Sequence, residues 1–215
     1  MRALILVDLQ NAFMPEADLS IPDAQAVISV ANQMITLFAQ ENEPIIATQN
    51  WFPVQEPDPL DSVASPYQLS TLSALPQDRW PHNCVRHSTA ADFVASLEQQ
   101  HWTSVVRKGS NGVSFSGFTS SGLKGQADLH SILQEHRVTK VFVLGLATDY
   151  CVKFTVLDAR ARGYSTTLIV DGCRGVNLQP TGSQMAIREM EQAGAQLCAS
   201  IDVPERSSSS RQSIH

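Results

Sequence analysis

The segment Val138-Thr139-Lys140-Val141-Phe142-Val143-Leu144-Gly145-Leu146-Ala147-Thr148-Asp149-Tyr150-Cys151 carries a β-branched, apolar run through a short turn into residues with helical spacing. The run reads as a buried strand, and Val152, Val156 and Ala159 mark one face of the helix that follows. Cys151 therefore lies in or beside a first helical turn. Unpaired N–H groups and the positive end of a helix dipole at that place predict a lowered thiol pKa and a cradle for an oxyanion. A lone free cysteine at such a junction is more often a packing residue, so the assignment needs support from elsewhere in the chain.

Working outward, the same alternation recurs. Ala3–Val7, Pro44–Thr48, Ser104–Arg107, Ser165–Val170 and Gln196–Ala199 have the length and composition of buried strands. Helical patterns separate several of them. One starts at Pro22-Asp23 and runs through Val27, Val30, Met34, Ile35 and Phe38; the others span Ser88–Gln100, Gln126–His136, Asp149–Arg162 and Thr181–Ala193, with Gly163 and Gly194 closing two of them. This order predicts a three-layer α/β/α domain with a mainly parallel sheet of roughly six strands and right-handed crossovers. Ligands of such sheets bind beyond the carboxyl ends of the strands. Asp8, Lys108 and Cys151 each follow a strand run. Asp8 alone could be a turn former, and Lys108 alone a solvated loop charge. Together they make a workable hydrolase: Lys108 favours the thiolate, and Asp8 takes the thiol proton and passes it to a leaving amine.

The 215 residues fit one domain over 1–203, followed by a polar, serine-rich tail over 204–215 expected to be disordered. A formal charge of −6 with no Lys/Arg run argues against nucleic acid and membrane surfaces as partners. The four cysteines lack zinc-type or disulfide-framework spacing, which fits reduced thiols in the cytoplasm. Asp8 interrupts the first apolar stretch too early for a signal or membrane segment. No glycine-rich phosphate fingerprint follows a strand, and the Ser/Gly-rich stretch after Lys108 reads as a cover over the site or a solvated connection. A homo-oligomer stays open.

Val7-Asp8-Leu9-Gln10-Asn11, Arg107-Lys108-Gly109, Gly145 to Val152 and Asp171-Gly172-Cys173-Arg174-Gly175-Val176 resemble segments of bacterial nicotinamidases, which are isochorismatase-like cysteine hydrolases. The resemblance implies a catalytic triad of Asp8, Lys108 and Cys151, a cis peptide between Leu146 and Ala147, and an oxyanion hole formed by the Ala147 and Cys151 amides. It also implies a cysteine-dependent amidohydrolase that converts nicotinamide to nicotinate and ammonia through a thioester, a step of NAD salvage.

The departures fall on one loop. Where the family holds a divalent metal with Asp-x-His and a His before the Cys of Trp-Pro-x-His-Cys, this chain reads Asn50-Trp51-Phe52 and Trp80-Pro81-His82-Asn83-Cys84, with Glu56 or Asp61 between. Amides and a phenyl ring are poor ligands for such ions. No tightly bound metal is expected; His82 leaves room for at most a weak site. Ala12 also replaces a usual Asp. Phe13, Trp51, Phe52 and Tyr150 are candidates to line a pocket for a small amide, although aromatics also serve as core. Two further readings stand beside the nicotinamidase-like one: a metal-independent amidase with a shifted substrate, and a catalytically weak paralogue that binds a small ligand.

Overall fold

The computed structural model describes residues 1–17, 19–54, 84–109, 114–118 and 127–205. Six strands, β1 (Arg2–Val7), β2 (Ile45–Asn50), β3 (Ser104–Lys108), β4 (Lys140–Leu146), β5 (Ser165–Arg174) and β6 (Gln196–Cys198), form one all-parallel sheet in the order β3-β2-β1-β4-β5-β6. The order reverses direction between β1 and β4, which opens a crevice beyond their carboxyl ends.

Helix α1 (Ala24–Gln40) buries Val27, Ile28, Ala31, Met34, Ile35 and Phe38, the stripe that its helical period predicts. Phe38 meets Phe142 of β4 edge-on with ring centroids 5.5 Å apart. Burial of each such side chain is worth about 1.5–3 kcal/mol, enough to fix α1 without a cap. Asp23, expected as its start, sits in the left-handed region and makes no side-chain cap. Helix α2 (Leu129–Glu135) does have one, since the Asp128 carboxylate accepts from the Ser131 amide at 2.7 Å. Helices α3 (Lys153–Ala161) and α4 (Gly182–Gln192) complete the layers; right-handed crossovers put α1 on the face opposite α2, α3 and α4.

The helix expected over Ser88–Gln100 is not formed. The segment is a series of turns ending in one 3-10 turn at Gln99–His101. Its backbone is committed to tertiary partners: Asn11 and Ala12 amides donate to Asp92 and Ala90, the Val94 amide donates to Leu9, and Glu98 is held by Asn32 of α1. Such pairing outweighs a weak local helix preference. At the other end of the chain, Pro204 is tied to Arg2 through its carbonyl, so the fixed chain extends past Val203. The rest of the expected tail, 206–215, lies outside the described residues.

Candidate active site

The strand ends converge through register. In β2, alternation puts Thr48 and Asn50 on one face and Gln49 on the other. Lys108 of β3 stands in register with Asn50, and Arg107 with Gln49. Asp8 follows β1 with φ 51°, a left-handed position that Asp tolerates better than most residues. Its amide donates to the Thr48 carbonyl at 3.2 Å, turning the carboxylate back over the Thr48 and Asn50 face.

That carboxylate is wholly buried and fully partnered. Thr48 Oγ1 donates to Oδ1 at 2.6 Å, Asn50 Nδ2 donates to Oδ2 at 3.0 Å, and Lys108 Nζ lies 2.7 Å from Oδ2. The ammonium, 1% exposed, also donates to Asn50 Oδ1 at 2.7 Å, the Ser114 carbonyl at 3.2 Å and Cys151 Sγ at 3.4 Å. Lys108 is therefore no solvated loop charge. The Asp8 carboxylate is also within side-chain hydrogen-bonding reach of Cys151. Burial would lower the Lys108 pKa, but the Asp8 charge first, with the hydrogen bonds to Asp8 and Cys151, outweighs it and holds the ammonium above its ordinary range.

Cys151 itself differs from the expectation. It lies in a π-helical turn, Thr148–Val152, ahead of α3, and both the Tyr150 and Val152 amides turn back onto the Ala147 carbonyl. Burial pushes its thiol up, Lys108 pulls it down, and the Asp8 charge raises it again; burial wins. The lowered pKa expected from helix position is thus overridden by desolvation, and the resting group is a thiol beside a carboxylate. Cys84 and Cys173 are pushed up to about 12, also by burial first.

The peptide between Leu146 and Ala147 is cis. Just before it, Gly145 takes φ +134° opposite Val7, where a Cβ would come within 2.2 Å of the Val7 carbonyl oxygen. Only glycine allows β1 and β4 to approach so closely at the crevice.

The four aromatic candidates do not form one group. Tyr150 packs against Phe115, centroids 5.7 Å apart, and Phe115 stacks on Phe154 at 5.3 Å. The Phe52 ring lies against Gly109, where a Cβ would come within 2.5 Å of it. Phe13 bridges the main core and a satellite cluster. Trp51 is buried inside that cluster with Ala12, Cys84 and Ala91. Following Asn50 by one residue, it takes the other side of the strand pair, under the Arg107 guanidinium at 4.2 Å and edge-on to His87. A cleft of about 670 Å³ lies there, lined in part by Gln49, Trp51, Trp102 and Arg107, and contains none of Asp8, Lys108 and Cys151.

Residues not singled out from sequence complete the site. Thr48 and Gln10 are buried polar groups flanking Asp8; alternation in β2 puts Thr48 on the Asn50 face, but no local pattern gives either residue its role. Phe115 belongs to the stretch read as cover or connection. Its described part is packed: Ser114 accepts from Lys108, and Gly117 lies so close to Thr48 that a Cβ would meet Cγ2 at 2.9 Å. Asp149 accepts the Val176 and Asn177 amides at 3.0 and 2.8 Å, pinning the loop after β5 to the π-turn.

A divalent ion does not fit the part of the expected metal loop that is described. Both Asn50 side-chain atoms are spent on Asp8 and Lys108, and Phe52 has no donor atom. Among the described residues no group of three or more His, Cys, Asp or Glu is arranged to hold a metal. Glu56, Asp61, His82 and Asn83 lie outside the described residues.

The Isochorismatase domain family profile matches residues 2–202. Escherichia coli K12 nicotinamidase is 42% identical over 211 residues, covering 95% of this chain and 97% of that protein. The solved pyrazinamidase of Pyrococcus horikoshii in complex with zinc superposes with a TM-score of 0.73 at 30% identity, covering 92% of this chain and 98% of that one. PnC1 from L. infantum in complex with nicotinate gives a TM-score of 0.74 at 26% identity, covering 94% of this chain and 93% of that one.

Proposed function

Because the chain belongs to the isochorismatase domain family, we propose that it is a cysteine-dependent amidohydrolase that hydrolyses nicotinamide or a closely similar small carboxamide, with Asp8, Lys108 and Cys151 as its catalytic residues. The observation that carries this reading is the Lys108 ammonium, itself out of solvent, which contacts the Asp8 carboxylate and the Cys151 sulfur at once.

The Cys151 thiol gives its proton to Asp8 as sulfur attacks the carboxamide carbon, so the nucleophile forms only as it is used. The oxyanion of the tetrahedral intermediate is assigned to the Ala147 and Cys151 amides, at the start of the π-turn that carries the sulfur. Asp8 returns the proton to the amide nitrogen, the C–N bond breaks, and ammonia leaves a thioester. Asp8 then takes a proton from water as the water oxygen attacks the thioester carbon; the C–S bond breaks as Asp8 gives that proton to the sulfur, which frees the acid and restores the Cys151 thiol and the Asp8 carboxylate. Lys108 keeps Asp8 oriented and offsets the negative charge that builds on sulfur. No step passes through a metal ion.

Tyr150, next to Cys151 in the π-turn and packed on Phe115, and Phe52, whose ring lies against Gly109 after Lys108, are the aromatic groups assigned to the substrate. A small uncharged amide suits these surfaces. The free state of all four cysteines supports a reducing compartment, the cytoplasm. No described helix is long and apolar enough to cross a membrane.

The misfit of Asn50 and Phe52 to a metal favours a second reading, a metal-independent amidase whose preferred amide differs from nicotinamide. Ammonia release from nicotinamide, pyrazinamide and aliphatic and aromatic amides, each with and without chelator, separates the two. Saturable nicotinamide turnover that disappears in Cys151→Ala is the expected result. Substantial ammonia release by Cys151→Ala overturns the mechanism, and no turnover of any amide leaves the chain as a small-ligand binding protein.

A further inference from the structure

Asn50 is 6% exposed and sits at the end of β2 with both side-chain atoms committed. Its amide nitrogen donates to Asp8 Oδ2 at 3.0 Å while its oxygen accepts from Lys108 Nζ at 2.7 Å. Asp8, Lys108 and Asn50 thus close a ring of three contacts, the third being the 2.7 Å ion pair. The backbone beneath is fixed as well. The Gln10 side chain accepts from the Asn50 amide at 2.8 Å and donates to the Asn50 carbonyl at 2.9 Å, while its nitrogen also reaches the Ala91 carbonyl at 2.7 Å. A residue serving only to fill space has no need of this double clamp.

We propose that Asn50 is a positioning residue that aims the Asp8 carboxylate and the Lys108 ammonium at the Cys151 sulfur. The inference rests on the assignment of Asp8, Lys108 and Cys151 given above. A neutral amide is suited to this role because it offers a donor to the anion and an acceptor to the cation from one rigid plane. A carboxylate of the same shape offers only acceptors and sets a second negative charge against Asp8. The Asn50 side chain bonds to Asp8 and Lys108, so its influence passes through the groups it orients.

The test compares the native enzyme with Asn50→Ala and Asn50→Asp, reading the pH profile of kcat and KM for nicotinamide together with the pH profile of iodoacetamide labelling at Cys151, located by mass spectrometry. In Asn50→Ala, kcat is expected to fall about tenfold or more with KM little changed, and the acid limb to move up by about one pH unit. In Asn50→Asp the limb moves further, although the side chain keeps its volume. Labelling at Cys151 follows the same displacement. A merely structural role predicts the reverse order, with the isosteric Asn50→Asp close to native; that order, or an unmoved limb in both variants, overturns the proposal. If Asn50→Ala does not fold, Asn50→Asp alone carries the comparison. If the native enzyme releases no ammonia from any amide, the catalytic reading fails while the labelling profile still decides the role of Asn50.

Discussion

Lys108 and Asp8 form an ion pair at 2.7 Å with both side chains fully out of solvent. Two desolvated charges stabilise the fold only as a pair, so removing one strands the other. Lys108→Ala is expected to cost about 3–5 kcal/mol in chemical denaturation and to abolish turnover; a loss below about 1 kcal/mol would contradict the buried pair. The pH dependence has a definite sign. The folded Lys108 pKa is raised above 10.5, so its contribution is fully present below that pH and is lost as pH rises through the folded value. Native stability should therefore decline on the alkaline side more steeply than that of Lys108→Ala.

Gly145 faces Val7, and a Cβ there would overlap the Val7 carbonyl oxygen and amide nitrogen, at 2.2 and 2.7 Å. Both obstacles are backbone of a central strand and cannot yield as a side-chain tip does. Its φ of +134° adds strain for any L side chain. Gly145→Ala should lower stability by about 3 kcal/mol or more and suppress activity. A variant with native stability and turnover would show that β1 and β4 can separate at the crevice without cost.

The strands were readable because four-to-seven-residue apolar runs in a doubly covered sheet have few other uses, and all six appear within a few residues of the expected places. The Ser88–Gln100 region was misread because its apolar spacing serves tertiary pairing with Leu9–Ala12, a partner far away in sequence. In the site, Asp8, Lys108 and Cys151 could be picked out by their positions after strands. The roles of Thr48, Gln10 and Asn50 depend on register between β1, β2 and β3, which no local pattern contains. Asn50 could be seen as a missing metal ligand; its bond to Lys108 could not. Trp51 adjoins Asn50 in sequence, but its ring contact with the Arg107 guanidinium depends on the pairing of β2 with β3 and has no local signal.

Asp149→Ala should loosen the junction between the π-turn and the loop after β5, because the Val176 and Asn177 amides lose their acceptor. Each unsatisfied amide costs about 1 kcal/mol or more where water cannot replace the carboxylate. Faster hydrogen exchange at Val176 and Asn177 with α1 protection unchanged is the expected signature. Unchanged exchange in the loop would show that the carboxylate is not what holds it.

Burial pushes the Cys151 thiol well above its ordinary range in spite of Lys108, so raising the pH is a poor substitute for a base. Asp8→Asn should lower kcat by about 10²–10⁴-fold. The loss should persist at about pH 9.5, where an ordinary exposed cysteine is mostly thiolate. Recovery of activity with rising pH would mean that a free thiolate suffices, and that Asp8 only orients Lys108.

Asn50 offers an ion only a neutral amide oxygen that already accepts from Lys108, and Phe52 offers no donor atom. Turnover should accordingly be the same after exhaustive chelation as before it, and addition of Mn²⁺ or Zn²⁺ should not raise it. Restoring single ligands should not create dependence either. Phe52→His supplies one donor while Asn50 remains engaged, and Asn50→Asp supplies another at the cost of a second negative charge against Asp8. The double variant Asn50→Asp/Phe52→His is the informative one, since an ion bound there would neutralise the added carboxylate. Its activity should be lower than native without metal and should rise on adding Zn²⁺, while equilibrium dialysis detects zinc retained by the double variant in excess of the native chain. If the native chain instead loses activity on chelation and regains it with Mn²⁺ or Zn²⁺, the ion is held by donors other than Asn50 and Phe52, and catalysis is metal-dependent after all.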